Sequence, residues 1–394
     1  MNVCVACFLF LWGCSSFAGT DTLYLTWQRD PTTTMMIQWL EETTERAPRL
    51  IEWRRVEAER WQEDRTLPIA SPATNLVLHR IELQNLAPDT TYQFRCQGQE
   101  EVCTFYTLPS SPISLKCVIG GDMYHDQLLP VAKTCRQAAA QEPDFAVLGG
   151  DIAYTISGGR SSQERPERWR EWLKTWSSTM RGSQNRLIPV VGAIGNHDTV
   201  GQFDQTLAQA GWFLLFFPKS SGTTSGLLQI DSFLALWLLD SGHAQSVPGE
   251  QTLWLEETLQ QNQSALHKIA VYHVPAYPAI RRFDHVHSQT IRKNWVPLFE
   301  KYRLHAAFEH HDHAYKRSHL LWQDRPSSRG VLYLGDGAWG VSRPRRPSFF
   351  RRPPYLQKVL AERHFIVAEF SKATRSYTAM DDQGRILDHF SQAA

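Results

Sequence analysis

Metal-ligand residue types stand at the ends of five separate apolar runs of this sequence. Each run has the length of a buried strand, and each is followed at once by a carboxylate, an amide, a phenol or an imidazole. The seven candidate ligands are Asp122, Asp151, Tyr154, Asn196, His273, His311 and His313. Because ligands of layered α/β sheets gather beyond the carboxyl ends of strands, we expect these side chains to converge on one site.

The ligand types indicate two metal ions rather than one. A carboxylate can bridge two cations, imidazole and amide oxygen suit borderline divalent metals, and a phenolate suits a hard trivalent metal. Asp151 and Tyr154 leave the same strand end together, and the glycines before Asp151 let the backbone turn sharply there. Since one metal would not use all seven ligands, the set predicts a two-metal site.

The elements that must hold these ligands alternate between strands and helices. Buried-type runs end just before the ligands, and apolar residues at helical spacing lie between them, as at Trp169, Trp172 and Trp176. A second helical stretch is predicted from Ile291 through Tyr302. The alternation predicts an α/β, or α+β, layered domain.

Residues 22–107 have a different pattern. Short apolar segments alternate with turns, which predicts about seven strands and an all-β sandwich similar to a fibronectin type III module. Tyr92 begins one strand just after the turn at Pro88 and Asp89, and this predicts a tyrosine corner. No cluster of ligand-type residues occurs here, so we interpret the domain as a packing or spacing module.

The composition is that of an ordinary globular chain, with 394 residues, 42% of them hydrophobic and 21% charged. A formal net charge of +1 gives no general reason to expect nucleic acid as a partner, so recognition must come from a local site. No nucleic acid is expected, and the oligomeric state is left open.

Residues 1–18 predict an export signal. The apolar run from Val3 to Trp12 is too short for a membrane span, and Ala18 ends a pattern typical of a cleavage site. A buried N-terminal strand is the alternative, because no Lys or Arg precedes the run. Cys14 ends a sequence loosely similar to a bacterial lipoprotein box, so secretion, periplasmic release and lipid anchoring in the cell envelope all stay open, with a membrane partner only if Cys14 is anchored.

Removal of that segment leaves four of the seven cysteines. Cys96 and Cys103 flank a predicted hairpin connection, where either a disulfide or two free thiols is expected. Cys117 lies in a predicted strand and Cys135 in a predicted helix, and both are expected to be buried thiols.

Five blocks in one order resemble those of the purple acid phosphatases, within the calcineurin-like metallophosphoesterase superfamily. The family's blocks are GD-x-G, GD-x-x-Y, GNH-D/E, V-x-x-H and GH-x-H, and a fibronectin-like domain precedes them. Any one block occurs often by chance, whereas five in this order do not. The resemblance covers nearly the whole mature chain and implies a catalytic domain over residues 113–392, with two β-sheets flanked by helices.

The resemblance also implies a role for each ligand. The first metal would be held by Asp122, Asp151, Tyr154 and His313. The phenolate of Tyr154 implies iron(III) at this position. The second metal, which is zinc, manganese or iron(II), would be held by Asp151, Asn196, His273 and His311.

The implied reaction is acid phosphatase chemistry, in which hydroxide on the metal pair hydrolyses a phosphate monoester. His197 matches the family's catalytic histidine and is predicted to protonate the leaving group, with orientation of a ligand as its alternative role. Further contacts to a phosphorylated small molecule or phosphoprotein are predicted at His125, Arg281, Arg282, His285 and His287.

Two positions depart from the family's blocks. Tyr124 stands where the family usually has Gly, and we expect it to narrow or line the entrance of the cleft. His310 replaces the Gly of the last block and adds a titratable neighbour. The arginines from Arg343 to Arg352 are interpreted as a solvated loop, with electrostatic focusing of anionic substrates as the alternative.

Two other functions stay open. A phosphodiesterase or nucleotide pyrophosphatase would use the same metals in a wider cleft, although Tyr124 favours a narrower one. The third interpretation, a non-catalytic extracellular binding protein built on the fibronectin-like module, is disfavoured by the complete ligand set.

Overall fold

The structure is a computed structural model, and it describes residues 20–71, 74–96, 99–156, 164–335, 337–347 and 352–394. The export signal predicted at residues 1–18, together with Cys14, lies outside the described residues. Within those described ranges, no helix combines the length and the apolar character that crossing a membrane requires.

The N-terminal part of the chain contains two four-stranded antiparallel sheets, which confirms the predicted all-β domain. It has eight strands where about seven were predicted. They are β1 (Tyr24–Thr26), β2 (Met35–Glu42), β3 (Leu50–Arg55), β4 (Gln62–Arg65), β5 (Leu67–Ala70), β6 (Leu76–Leu83), β7 (Thr90–Cys96) and β8 (Cys103–Thr107). The sheet orders are β1-β2-β6-β5 and β4-β3-β7-β8.

Two sequence predictions for this domain are settled by its side chains. The backbone N–H of Ala87 donates to the Tyr92 hydroxyl oxygen at 2.8 Å, so the predicted tyrosine corner is confirmed. Cys96 and Cys103 are buried free thiols, which is the second of the two alternatives left open for them. Outside this domain, Cys117 and Cys135 are also buried free thiols, as predicted.

The rest of the chain alternates strands and helices, as the sequence predicted. The elements are β9 (Ser114–Gly120), α1 (Leu128–Ala139), β10 (Phe145–Gly149), α2 (Glu167–Thr179), β11 (Val190–Ala193), α3 (Gly211–Phe216), β12 (Gly226–Ile230), β13 (Leu234–Leu238), α4 (Glu250–Gln261), β14 (His267–Tyr272), α5 (Val286–Asn294), α6 (Val296–Lys301), β15 (Ala306–Glu309), β16 (Tyr315–Trp322), β17 (Arg325–Pro326), β18 (Val331–Gly335), β19 (Leu356–Leu360), β20 (His364–Ser371), β21 (Thr374–Asp381) and β22 (Ile386–Ala393). Short 3-10 turns lie at Ser183–Asn185, Asn196–Asp198 and Leu207–Ala210.

These strands form two sheets. One has the order β11-β10-β9-β20-β21-β22, and the other has the order β12-β13-β14-β15-β18-β16-β17, with β19 paired to β16. Strands β9, β10 and β11 are parallel to one another, and so are β13, β14, β15 and β18. Parallel neighbours need crossover connections, and helices occupy several of them. The carboxyl ends of each parallel group therefore share one edge of its sheet.

Alternate strand residues face different layers. Ile119 and Val147 pack in the core that also contains Ile269 of the other sheet. Their neighbours Val118 and Ala146 pack with residues of α1 and α2. This period of two gives a layered fold of two sheets flanked by helices, which confirms the predicted class.

One predicted helix is two helices. The apolar spacing from Ile291 through Tyr302 predicted one continuous stretch, but α5 ends at Asn294 and α6 begins at Val296. Pro297 lies in the first turn of α6. Because proline lacks a backbone N–H and clashes with the preceding turn, it begins a new helix instead of continuing the old one.

Candidate metal centre

The backbone at the candidate ligands is unusual. Five of the seven have a left-handed conformation, with φ of 54° at Asp122, 52° at Asp151, 50° at Tyr154, 71° at His311 and 57° at His313. Such residues cost about 1–3 kcal/mol each and persist where the surrounding structure holds them, often at functional sites. The sharp turns after the strands direct these side chains toward one another.

A first group of ligands surrounds Asp122. The Tyr154 hydroxyl donates to Asp122 Oδ1 at 2.8 Å, and His313 Nε2 lies 2.8 Å from the same oxygen. Tyr154 Oη and His313 Nε2 are 3.1 Å apart. All three side chains are buried. This group contains the hard oxygen donors that suit a trivalent cation.

A second group surrounds His273. Its Nε2 lies 3.2 Å from Asp151 Oδ2, 3.1 Å from Asn196 Oδ1 and 3.0 Å from His311 Nδ1. Its Nδ1 donates to the carbonyl oxygen of Gly149 at 2.9 Å, which leaves Nε2 facing the cluster. The ligand atoms of Asp151, His273 and His311 all lie within 4.8 Å of one another, which fits one divalent cation.

The charges of the cluster act across both groups. Burial opposes protonation of His273, but the charges of Asp151 and Asp122 raise its pKa to about 9. Burial favours the neutral form of Asp151, yet the charges of His273 and His197 hold its pKa below the ordinary range. Burial and the charge of Asp122 raise the pKa of Tyr154. Buried carboxylates are costly unless they are paired or bind metals, so the donor set fits two cations.

His197 lies on the open side of this cluster. Its ring stacks on Tyr154 with 4.5 Å between centroids, and its side chain is 19% exposed. Nδ1 lies 2.6 Å from the carbonyl oxygen of Ile156, and Nε2 lies 4.0 Å from Asp151 Oδ2. The backbone N–H of His197 donates to Asp151 Oδ1 at 2.7 Å. The residue therefore holds Asp151 through its backbone and leaves Nε2 next to the cluster.

His125 lies beside the first group of candidate ligands. The centroid of its ring lies 5.2 Å from that of Tyr154 and 5.3 Å from that of His313. Nδ1 lies 2.7 Å from Asp126 Oδ2, which orients the ring. Among the predicted substrate contacts, the structure places His125 directly beside the ligands.

The two arginines after the fourth block have different surroundings. Arg281 Nη1 donates to the carbonyl oxygen of His311 at 2.6 Å and to Asp312 Oδ1 at 3.1 Å. The side chain of Arg282 is 85% exposed and pairs with Asp284. The structure therefore brings Arg281 against a ligand's backbone and leaves Arg282 at the surface.

His285 and His287, which were also predicted as substrate contacts, lie farther out, at the start of helix α5. His287 stacks on Phe203 with 4.2 Å between centroids, and Phe203 lies 6.3 Å from the ring of His311. His285 precedes helix α5, and its ring lies 5.5 Å from that of His287. Phe203 thus separates His287 from the ligands.

The departure at Tyr124 has a structural explanation. Its hydroxyl donates to Glu171 Oε2 of α2 at 2.8 Å, and the guanidinium of Arg168 lies 3.7 Å from its ring centroid. The side chain is directed to helix α2 rather than to the ligand cluster. This contact removes the reason to expect a narrowed entrance.

His310 stands where the family has Gly, and two glycines leave the space that its ring needs. Its buried ring occupies the space that a side chain at Gly121 or Gly149 would need, because a Cβ on Gly149 would lie 1.8 Å from His310 Nε2. The imidazole therefore packs beneath the ligand turns.

Sequence reasoning missed two carboxylates that hold the ligand turns. Asp198 accepts hydrogen bonds from the backbone N–H groups of Ile152 at 3.0 Å and Gly195 at 3.1 Å. Burial and the charge of Asp151 raise its pKa to about 8. Asp312 accepts from the backbone N–H groups of the loop that follows His273, at residues 279 and 280. Their positions inside the GNH-D/E and GH-x-H blocks were the available signal.

Two regions of the chain match known families. Residues 20–112 match the N-terminal domain of purple acid phosphatases, and residues 116–315 match the calcineurin-like phosphoesterases. Purple acid phosphatase 15 of Arabidopsis thaliana is 25% identical over 293 residues, which are 67% of this chain and 54% of that protein. The chain therefore spans about half the length of this curated relative.

Solved structures share the fold. Purple acid phosphatase PPD1 from yellow lupin (Lupinus luteus) seeds superposes with a TM-score of 0.74 at 15% identity, over 94% of this chain and 74% of that chain. The structure of PhoD superposes with a TM-score of 0.68 at 11% identity, over 95% of this chain and 93% of that one. With both domains matched in order, this chain belongs to the calcineurin-like phosphoesterase family and, within it, to the purple acid phosphatases.

Proposed function

We propose that the protein hydrolyses phosphate monoesters with a pair of metal ions, as an acid phosphatase does. The observation that carries this proposal is the proximity of two buried groups of candidate ligands, one around Asp122 and one around His273, which are joined where the backbone N–H of His311 donates to Asp122 Oδ2 at 2.9 Å. In the proposed arrangement the first metal would be held by Asp122, Asp151, Tyr154 and His313, and the second by Asp151, Asn196, His273 and His311.

The donor types support the metals inferred for each position. The phenol of Tyr154 beside two carboxylates suits iron(III), and the imidazoles with the amide of Asn196 suit zinc, manganese or iron(II). When bound, two such cations stabilise charge on phosphoryl oxygens and lower the pKa of water.

We assign proton transfer to His197. Because Nδ1 is held by the carbonyl oxygen of Ile156, Nε2 is the atom that gives a proton to the leaving group. The stacking on Tyr154 fixes the plane of the imidazole. His125 is proposed to contact the phosphoryl group, and Arg281 to position His311. Arg282, His285 and His287, which lie farther from the ligands, are proposed as outer contacts to a phosphorylated small molecule or phosphoprotein.

Metal analysis with a visible spectrum tests the metal assignment. We expect iron with a second divalent metal and a purple charge-transfer band from phenolate on iron(III). Tyr154→Phe should abolish the band, because the phenolate is removed. A colourless wild-type protein that still hydrolyses phosphomonoesters would contradict the assignment of iron(III) to Tyr154.

Replacement of His197 tests its role. His197→Ala should lower turnover by about 100-fold or more, in the range of general acid–base catalysis, while metal content stays near that of the wild type. The control is His389→Ala, since His389 is exposed on β22. Unchanged turnover in His197→Ala removes the residue from the mechanism.

A pair of substrates separates the alternatives. Hydrolysis of 4-nitrophenyl phosphate but not of its diester supports a monoesterase, and the reverse supports a phosphodiesterase or nucleotide pyrophosphatase on the same metals. A protein isolated without metal that stays inactive after iron and a divalent metal are added would support a non-catalytic binding protein.

We also propose a domain division and a location. Residues 22–107 form the fibronectin-like domain and residues 113–392 the catalytic domain, and the distinct sheets of the two parts support this division. Export is proposed from the signal-like pattern of residues 1–18, with lipid anchoring at Cys14 as the alternative. Cell fractionation with N-terminal sequencing tests this, and an uncleaved cytoplasmic chain would contradict it.

A further inference from the structure

The segment 337–347 is fastened directly to the ligand turns. The backbone N–H groups of Trp339 and Gly340 donate to the carbonyl oxygens of Gly121 at 3.1 Å and Asp122 at 3.2 Å. The N–H of Arg345 donates to the carbonyl oxygen of His313 at 2.8 Å. The segment follows β18, whose carboxyl end lies at the same sheet edge as those of β14 and β15. Arg345 is thereby placed beside the first ligand group.

Within the described ranges, no carboxylate oxygen lies within 4.0 Å of the Arg345 guanidinium, so no described residue forms an ion pair with it. Its side chain is half-buried, whereas Arg343 and Arg346 of the same segment are exposed. The arginines of the other loop are occupied, since Arg281 pairs with Asp312 and Arg282 with Asp284. A half-buried cation beside the cluster is therefore available for an anionic ligand.

We propose that Arg345 is a specificity-determining residue that contacts the substrate's phosphoryl group from the Tyr154 side and favours dianionic monoesters over monoanionic diesters. This inference rests on the proposed phosphatase activity. A guanidinium offers a planar fork of donors that matches two phosphate oxygens. Its attraction is larger for a monoester, which has a second ionisation near pH 6, than for a diester with a single charge.

The Arg345 side chain can be replaced without removing the backbone hydrogen bond that holds the segment. The bond to His313 uses the backbone N–H, so Arg345→Ala and Arg345→Lys both retain it. Arg345→Lys keeps the charge and removes the fork. The matched controls are Arg343→Ala and Arg346→Ala, which remove the same charge from exposed positions of the same segment.

The experiment compares the metal-loaded wild type with these four variants at about pH 7, where the monoester is mostly dianionic. For Arg345→Ala we expect kcat/KM for 4-nitrophenyl phosphate to fall about 100-fold, as when one preorganised donor is removed, and kcat/KM for the diester to fall much less. Arg345→Lys should lie between wild type and Arg345→Ala. Calorimetry with inorganic phosphate should show weaker binding to Arg345→Ala at unchanged iron content.

The outcomes separate this inference from the proposed function. An unchanged monoester-to-diester ratio in Arg345→Ala overturns the inference, and so does an equal loss in Arg343→Ala or Arg346→Ala, which would indicate general attraction by the segment. A wild type that hydrolyses neither ester overturns the proposed function. In that case the phosphate titration still decides whether Arg345 binds a phosphoryl group, because unchanged binding in Arg345→Ala contradicts it.

Discussion

Two histidines mark opposite ends of strand β14 and have opposite surroundings. His267 is the first residue of the strand, and His273 directly follows its last residue. Both are fully buried. The charges of Asp151 and Asp122 overcome burial and raise the pKa of His273 to about 9. Burial and the charge of Arg375 lower the pKa of His267 to about 4.

The groups around His267 are cations rather than metal ligands. Arg375 Nε donates to His267 Nδ1 at 3.3 Å, and His267 Nε2 lies 3.0 Å from the carbonyl oxygen of Ser371. His305 accepts from the backbone N–H of Lys268 at 3.0 Å, and burial with the charge of Arg375 lowers its pKa to about 3. On strand β14, therefore, the buried histidine that meets carboxylates is the one at the carboxyl end.

The largest expected effect comes from replacing His273 by asparagine, and His267→Asn is its matched control. His273→Asn should lower turnover at least about 100-fold, because even groups behind a metal ligand commonly cost 10–100-fold when removed. His267→Asn should leave metal content and turnover near those of the wild type. Metal analysis and phosphatase assays check both variants. Loss of metal from His267→Asn would contradict the prediction that only the histidine at the carboxyl end of β14 is a metal ligand.

The second prediction concerns the space that the His310 ring occupies at the carboxyl end of strand β10, where Gly149 lies. In Gly149→Ala the new Cβ would lie 1.8 Å from the ring of His310, so we expect a loss of about 1–3 kcal/mol in the free energy of unfolding. Adding His310→Ala should recover part of this loss, because residues in contact are not additive.

Gly211→Ala is the control for this prediction. Nothing lies within 4 Å of a Cβ at Gly211, which begins helix α3, so alanine should be neutral or slightly stabilising. Denaturant unfolding measures all four proteins. Equal stability of Gly149→Ala and Gly211→Ala would show that the His310 ring moves aside without cost.

The smallest expected effect is a dependence of stability on pH at the other end of β14. The pKa of His267 is lowered in the folded protein from 6.5 to about 4, so its neutral form contributes stability that is fully present above pH 6.5. That contribution is lost as the pH falls toward 4, because the unfolded chain then binds the proton more readily. His267→Asn should therefore lose less stability than the wild type between these values.

Unfolding midpoints measured for both proteins across this range check the difference. Parallel declines for wild type and His267→Asn would show that His267 does not titrate on unfolding. The comparison uses the difference between the two proteins, which removes acid effects on the metal centre that they share.

Much of the site was visible in the sequence because every candidate ligand lies within five residues of the end of a strand. The periods of two and 3.6 identified the layers, and the structure brings the seven candidate ligands into two groups joined by the bond from the His311 N–H to Asp122. The break at Pro297 was missed because apolar spacing continued across it. The direction of Tyr124 was missed because its partners, Arg168 and Glu171, lie on a helix more than forty residues away.

The sequence by itself determined the fold class, the family and the residues able to bind metal, since these follow from local periodicity and from the order of short blocks. Only the tertiary structure decided which charged side chains lie near those metal-binding residues. Arg281 and Arg282 stood in the expected loop, yet both pair with nearby carboxylates, whereas the backbone N–H of Arg345, in a segment after β18, donates to the carbonyl oxygen of His313. The reason is physical: a charge acts over distances in space, and those distances arise only when remote segments pack together.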